Sequence, residues 1–238
     1  MVTDVLSAID PDREETWTGK LFVTLDLDWA DDEVLGRATE LLERARVKYT
    51  LFVTHRSTLV DRLAQRGACE LGLHPRIDAL GAVTPEPTAD PSAFGTLRAA
   101  FPSATAVRSH SLVQSSPLHN QFAACGLTHE SNTYIPAAAG MNLRPWRIWN
   151  GLIRVPFAWA DDIHLYAGHG DREIAALRET GLCVIAAHPI HLFLNTDSTE
   201  RYARYKEAVR LGAPTADLIN RTRRGIRDTF LDLLEKLL

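Results

Sequence analysis

Two acids in a strand and a set of histidines at strand ends are the residues of this chain best suited to chemistry. Asp26 and Asp28 close the run LFVTLDLDW, Leu21 to Trp29, two positions apart. Strand alternation points both side chains to one side. A carboxylate on an apolar strand is costly to bury unless it is paired or bound to a metal, and Asp31 and Asp32 already offer to cap the next helix. Of nine histidines, five (His55, His74, His110, His129 and His188) fall at or beside the C-terminal end of a run that reads as a strand. In parallel α/β folds ligands and catalytic groups collect at that end. One histidine so placed is more often structural, whereas five at equivalent ends would gather around one mouth. An Asp with two histidines and an open position for water suits a catalytic divalent ion such as zinc, which lowers the pKa of bound water toward ~7. A second carboxylate beside it would serve as general base.

The elements that must position these groups alternate strand with helix, the pattern of βα units and a parallel sheet. After LFVTLDLDW, Asp31 caps a helix with an apolar stripe from Val34 to Ala45. The strand YTLFVTH ends at His55, and a helix from Ser57 to Arg66 stops at Gly67. CELGLH ends at His74, a proline-bearing loop leads to a helix from Asp90 to about Phe101, and TAVRSH ends at His110. A helix from Ser116 stops at Gly126 before LTHESN. The aperiodic stretch Ser131 to Asn150 has the length of a functional loop. LIRVPFAW, a helix over Arg172 to Thr180, LCVIAAH ending at His188, and helices over Thr199 to Leu211 and Ala216 to Leu237 complete the chain. Seven strands predict an α/β fold, a distorted seven-stranded parallel barrel of TIM-barrel type. Residues 1–238 read as one domain, with an N-terminal lead over 1–19 and C-terminal helices over 198–238.

Composition narrows the partners. Lys plus Arg number 26 against 30 Asp plus Glu, without a block of like charges, so no nucleic-acid footprint is expected. The start has no basic stretch followed by an apolar run, and no segment reaches the roughly 18 apolar residues of a membrane span. A cytoplasmic protein is the expectation. Cys69, Cys125 and Cys183 lack CxxC spacing and read as core residues.

Taken in order, the segments resemble the polysaccharide deacetylase family, the NodB-homology or family four carbohydrate esterases. TLDLDW (Thr24 to Trp29) is similar to the family's TFDDG strand end, and ELGLHPRID (Glu70 to Asp78) to the motif whose histidine opens an H-x-x-x-H metal pair. VRSHS (Val107 to Ser111) stands where the family has R-x-P-Y, GLTHESN (Gly126 to Asn132) where it has its Gly-aromatic-x-x-D-S-S strand, and VPFAWADD (Val155 to Asp162) where it has its Asp and Trp motif. VIAAHPIH (Val184 to His191) resembles its last motif. The resemblance covers roughly Leu21 to His191 and implies a distorted seven-strand barrel. It also implies Asp26 as base, Asp28 and His74 as metal ligands, Arg108 orienting or stabilising the base, and His188 as general acid. Three departures stand out: Leu27 separates the two acids, Asp78 replaces the second histidine of H-x-x-x-H, and His110 lies near the position of the family's proline. His110 is the expected third ligand, with Asp78 as its competitor.

The resulting expectation is a hydrolase that depends on a divalent metal, zinc first, and removes an acetyl or similar acyl group from an amino sugar or glycan precursor. Trp29, His55, Trp159, Asp161 and His191 are the expected substrate contacts. The altered metal motif keeps open a barrel that binds a glycan or nucleotide sugar without turnover, or one that hydrolyses another non-peptide C–N bond. An amidohydrolase-like site would instead show H-x-H on the first strand. His119, His164 and His169 read as solvent-exposed.

Overall fold

Short β-rich runs with few polar residues need neighbours on both sides, and here they find them in one curled sheet. The computed structural model describes residues 1–67, 69–77, 91–167 and 172–238. Its strands are β1 (Val2–Thr3), β2 (Lys20–Asp26), β3 (Tyr49–Val53), β4 (Glu70–Leu73), β5 (Ala106–Val107), β6 (His129–Glu130), β7 (Trp146–Arg147), β8 (Ile153–Arg154), β9 (Trp159–Ala160) and β10 (Cys183–Ala187). The α-helices are α1 (Asp32–Arg44), α2 (Thr58–Gln65), α3 (Pro91–Ala100), α4 (Ser116–Ala124), α5 (Asp161–Ala167), α6 (Arg172–Leu177), α7 (Pro189–Leu194), α8 (Thr199–Arg210) and α9 (Ile226–Leu237). Strand order is β7-β8-β6-β5-β4-β3-β2-β10-β9, with β1 also on β2, and every pair is parallel except β7 with β8.

The run expected as a single sixth strand, Leu152 to Trp159, is split. Its first half, β8, pairs with β6, and its continuation, β9, pairs with β10. Pro156, which has no N–H to donate, stands at the hand-over. The two ends of the curled sheet therefore meet on one segment, and going round it returns the seven units read from the sequence.

The N-terminal lead closes the opposite end. Leu6 N donates to Thr50 Oγ1 at 3.0 Å, Ser7 N to Glu70 Oε2 at 3.3 Å, and His129 Nε2 to the Ile9 carbonyl at 2.8 Å. Here the histidine reading is corrected: His129 lies at the start of a two-residue strand and ties down the lead instead of joining the mouth. Asp31 and Ser57 cap their helices as predicted, each accepting from the backbone N–H three residues on, while α4 is capped in the same way by Ser115, one residue before the expected start.

Two other expectations change. The helix expected over Ala216 to Leu237 is interrupted: a single 3-10 turn covers Ala216–Leu218, and α9 begins only at Ile226. Asn220 causes the break, because its side chain bonds the following backbone, a local alternative to helical bonding. His119 is buried, not solvent-exposed, since α4 turns it beneath Trp149, with ring centroids 5.6 Å apart. Within the long loop, Tyr134 bridges to Phe157 and Leu143 to Gly181, so it is packed along the barrel wall.

Inside the barrel Phe52 faces Gly72, and a Cβ added at Gly72 would stand 2.6 Å from Phe52 Cδ1 and 3.2 Å from the Ala106 carbonyl. Gly72→Ala must displace a ring already packed on its other side. The expected loss is about 1–3 kcal/mol, read as a lowered midpoint in denaturant unfolding with an unchanged m-value.

Candidate active site

The mouth of the barrel is organised from below by one cation. Arg108, which directly follows β5, is wholly buried. Its Nη1 donates to Thr24 Oγ1 at 2.7 Å and Asp26 Oδ1 at 3.0 Å, its Nε to the Ser131 carbonyl at 2.9 Å, and its Nη2 to Ser131 Oγ at 2.8 Å. The guanidinium lies between two rings, 4.7 Å from the Phe52 centroid and 4.5 Å from that of Phe157. Asp26 ends β2 pointing inward, with Oδ1 taken by Arg108, so Oδ2 is the oxygen left for the pocket.

Asp28 reaches the same pocket by a different route from the one alternation predicts. The strand ends at Asp26, Leu27 is buried, and Asp28 turns in the left-handed region at φ 49°. That conformation costs a non-glycine residue about 1–3 kcal/mol and is found where function needs a particular aim. The aim is at three imidazoles: Oδ1 is 3.2 Å from His74 Nε2 and 3.6 Å from His110 Nε2, and Oδ2 is 3.8 Å from His188 Nε2. Burial pushes the Asp28 carboxyl up, but the His74 hydrogen bond and the charges of His188, His74 and His110 outweigh it and hold it down to about 2.

His74 is buried, and its Nδ1 donates to the carbonyl of Arg108 at 2.7 Å. In the neutral ring Nε2 then carries the lone pair, and it faces a carboxylate oxygen. The 3.2 Å contact needs positive charge between the two atoms, supplied either by a proton on Nε2 or by a metal ion in its place. A tetrahedral ion with ligands at about 2.0–2.2 Å sets neighbouring ligand atoms roughly 3.3–3.6 Å apart, close to the two Asp28–His separations. His110 shares a 3.0 Å hydrogen bond with Ser111 Oγ through Nδ1 and is the exposed member of the set. Burial holds its ring below the ordinary histidine range against the pull of Asp28. Asp78 lies outside the described residues.

On the far wall, α5 begins with Asp161, which is fully buried. Its Oδ2 accepts the backbone N–H of His188 and its Oδ1 accepts Nδ1–H, both at 2.7 Å. Burial alone would lower the His188 ring; the charge and hydrogen bond of Asp161 overcome it and raise it well above the ordinary value. Asp161, Asp162 and His188 form a trio with ligand atoms all within 4.8 Å. Both Asp161 oxygens are already filled by His188 donors, which marks the closest of these contacts as a carboxylate–imidazolium pair. Asp162 joins the pocket wall, and burial raises its carboxyl.

The pocket so formed has a cavity volume of about 180 Å³ and includes Asp26, Asp28, His74, His110, His188 and His191. His191 is held at Nδ1 by Thr196 Oγ1 at 3.0 Å, and burial brings it down to about 4, so it is a neutral ring there. Expected contacts placed elsewhere are Trp159, His55 and Trp29. Trp159 is wholly buried against Phe230 and His164, because its position on β9 turns it outward under the helices. His55 is exposed and shares a hydrogen bond with Thr54, one residue past the strand end. Trp29 stacks on Tyr202 and Tyr205, with centroids 6.5 and 6.0 Å away. Asp161 touches His188 rather than the open pocket. Residues not foreseen are Ser109, Phe157 and Tyr202. Tyr202 arrives from α8, far along the chain, packed 4.6 Å from the His191 ring.

Compared with known families, residues 23–206 match the profile of WbmS-like polysaccharide deacetylases. The chain belongs to the polysaccharide deacetylase family. Among solved structures, one from Bordetella bronchiseptica, provisionally described as a polysaccharide deacetylase involved in O-antigen biosynthesis, is 33% identical, with a TM-score of 0.87 over 99% of this chain and 98% of that one. A family 4 carbohydrate esterase from Streptomyces lividans is 16% identical, with a TM-score of 0.47 over 73% of this chain and 80% of its own. A search among curated proteins found no match.

In this family member the His188–Asp161 pair sets a proton. His188 keeps it as pH rises past the ordinary histidine range and releases it only near its raised folded value. The pair therefore stabilises the fold fully below pH ~6.5 and loses that contribution as pH climbs through the folded pKa. In Asp161→Asn the attraction is gone while burial remains, so the His188 titration followed by NMR is expected to move down by roughly one unit or more. An unmoved titration would show that Asp161 does not hold the proton.

Proposed function

We propose that this deacetylase removes an acetyl or similar short acyl group from an amino sugar or glycan precursor, with a divalent cation held by Asp28, His74 and His110. The observation that supports this reading is that one Asp28 oxygen stands 3.2 Å from His74 Nε2 and 3.6 Å from His110 Nε2, with the His74 ring oriented by the Arg108 carbonyl. The cation, zinc among the candidates, supplies Lewis-acid activation of a water and of the acyl carbonyl.

The chain's own residues do the rest. Asp26, oriented by Arg108 and Thr24 through Oδ1, takes the proton of the attacking water on Oδ2. His188, protonated and steadied by Asp161, gives its Nε2 proton to the departing amine or alcohol. Neutral His191 and Tyr202 line the side where the leaving sugar would sit. Phe157, Ala160 and Ala186 leave a small apolar recess, in keeping with a short acyl group.

Elemental analysis of protein purified without chelators is expected to give about one divalent ion per chain, lost in Asp28→Ala and His74→Ala. Asp26→Asn is expected to keep the ion while acetate release from acetylated amino sugars falls roughly 10²–10⁴-fold. Metal-free protein with full activity would overturn the mechanism. Tight sugar binding without acetate release from any candidate would favour a binding protein on the same barrel.

A further inference from the structure

Away from the mouth, a concentrated positive feature of this acidic chain lies where the expected last helix breaks. The segment INRTRRG, Ile219 to Gly225, turns on the buried Asn220. Its Oδ1 accepts from the backbone N–H of Thr222 at 3.2 Å and Arg223 at 3.0 Å, and its Nδ2 donates to the carbonyls of Asn195 at 3.0 Å and Arg223 at 2.7 Å. Asn195, left-handed at the end of α7, donates to Asp228 Oδ2 at 2.8 Å. Gly225 packs so closely that a Cβ there would stand 2.2 Å from the Asn195 carbonyl oxygen. The loop is held in shape by two buried asparagines and presents Arg221, Arg223, Arg224 and Arg227, with Asp228 and Asp232, around a cavity of about 530 Å³.

The charges there do not cancel. Arg224 pairs with Asp232. Asp228 directs Oδ2 to the Gly225 N–H and to Asn195. Arg223 pairs with Asp197 at 2.7 Å, but that carboxylate is already bonded to Arg201 at 2.5 Å. Among the described residues, Arg227 reaches only the carbonyls of Leu192 and Phe193, at 3.5 and 3.4 Å. Arg221 is exposed and has no ion pair among the described residues. Four arginines against two aspartates leave an excess of two positive charges in the lining of this cavity, on a chain whose net charge is -4.

Guanidinium forks match phosphate oxygens in pairs, and an excess of this size suits a diphosphate better than a lone carboxylate. We propose that this cavity binds the diphosphate group of a phosphorylated ligand, at a site distinct from the catalytic mouth, with which it shares no lining residue. Helix α7 connects the two: His191 lines the mouth, and Asn195, about one helical turn on, anchors the arginine loop.

The test is calorimetric titration of the full chain with inorganic pyrophosphate, after chelator treatment so that no metal captures the anion. Saturable, salt-sensitive binding is expected, unchanged in His74→Ala and weakened about tenfold or more in Arg221→Glu. Arg221 is exposed and its side chain makes no hydrogen bond or ion pair among the described residues, so that variant is expected to fold; Arg227→Gln is a second one, and melting curves check both. Tighter binding of a nucleoside diphosphate, or of vesicles bearing a diphosphate-headgroup lipid, would support the site and identify which carrier it serves. Absence of binding, or equal binding by wild type and Arg221→Glu, would overturn it. The outcome is independent of whether acetate is released at the mouth.

Discussion

The buried guanidinium of Arg108 is the constraint on which the mouth of the barrel depends. A charge removed entirely from water is tolerated only when its hydrogen bonds are met and its charge is balanced. Here the balance comes from Asp26 at 3.0 Å, the hydroxyls of Thr24 and Ser131, and two aromatic faces. The same residue's carbonyl accepts from His74 and so sets which nitrogen of that ring is free. One residue thus orients both the candidate base and a candidate metal ligand, which explains why Phe52, Gly72 and Phe157, none of them reactive, are fitted so closely beneath the site.

Much of this was legible in the chain because two independent signals agreed. Alternating strands and amphipathic helices specified a parallel barrel, and Asp26, Asp28, His74, His110 and His188 were recognisable as strand-end groups. What the pattern could not show is direction. His129 occupies a strand-end position on paper, yet β6 is so short that the residue lies at the level of the lead and bonds the Ile9 carbonyl. Trp159 follows the same rule from the other side: aromatic, beside an acidic motif, and turned outward to pack against Phe230. Periodicity reports that a residue is in a strand, while strand length and offset decide which end and which face it serves.

The split sixth strand shows a related limit. Leu152 to Trp159 has the composition of one continuous strand, but its hydrogen bonds pass from β6 to β10 around Pro156. A sequence carries no mark for a ladder that changes partner, and closure of the sheet depends on that change. The break before α9 is a comparable case, in which the side chain of Asn220 bonds the following backbone in place of helical bonding and Gly225 restarts the helix.

The D-x-D pair shows why the mouth holds its groups at different energetic cost. Asp26 sits in relaxed strand geometry and is held by a permanent partner, Arg108. Asp28 sits in a left-handed turn, opposed by burial, and its partners are imidazoles whose charge depends on conditions. A group kept in a strained backbone with adjustable partners is suited to receive a cation, whereas a group with one oxygen held by a guanidinium has its charge already partly balanced and keeps a single oxygen for the pocket. The inserted Leu27, buried in the core, separates these two environments. Adjacent acids would share one turn of backbone; with an apolar anchor between them, one stays in the sheet and the other leaves it, and each acquires its own chemistry.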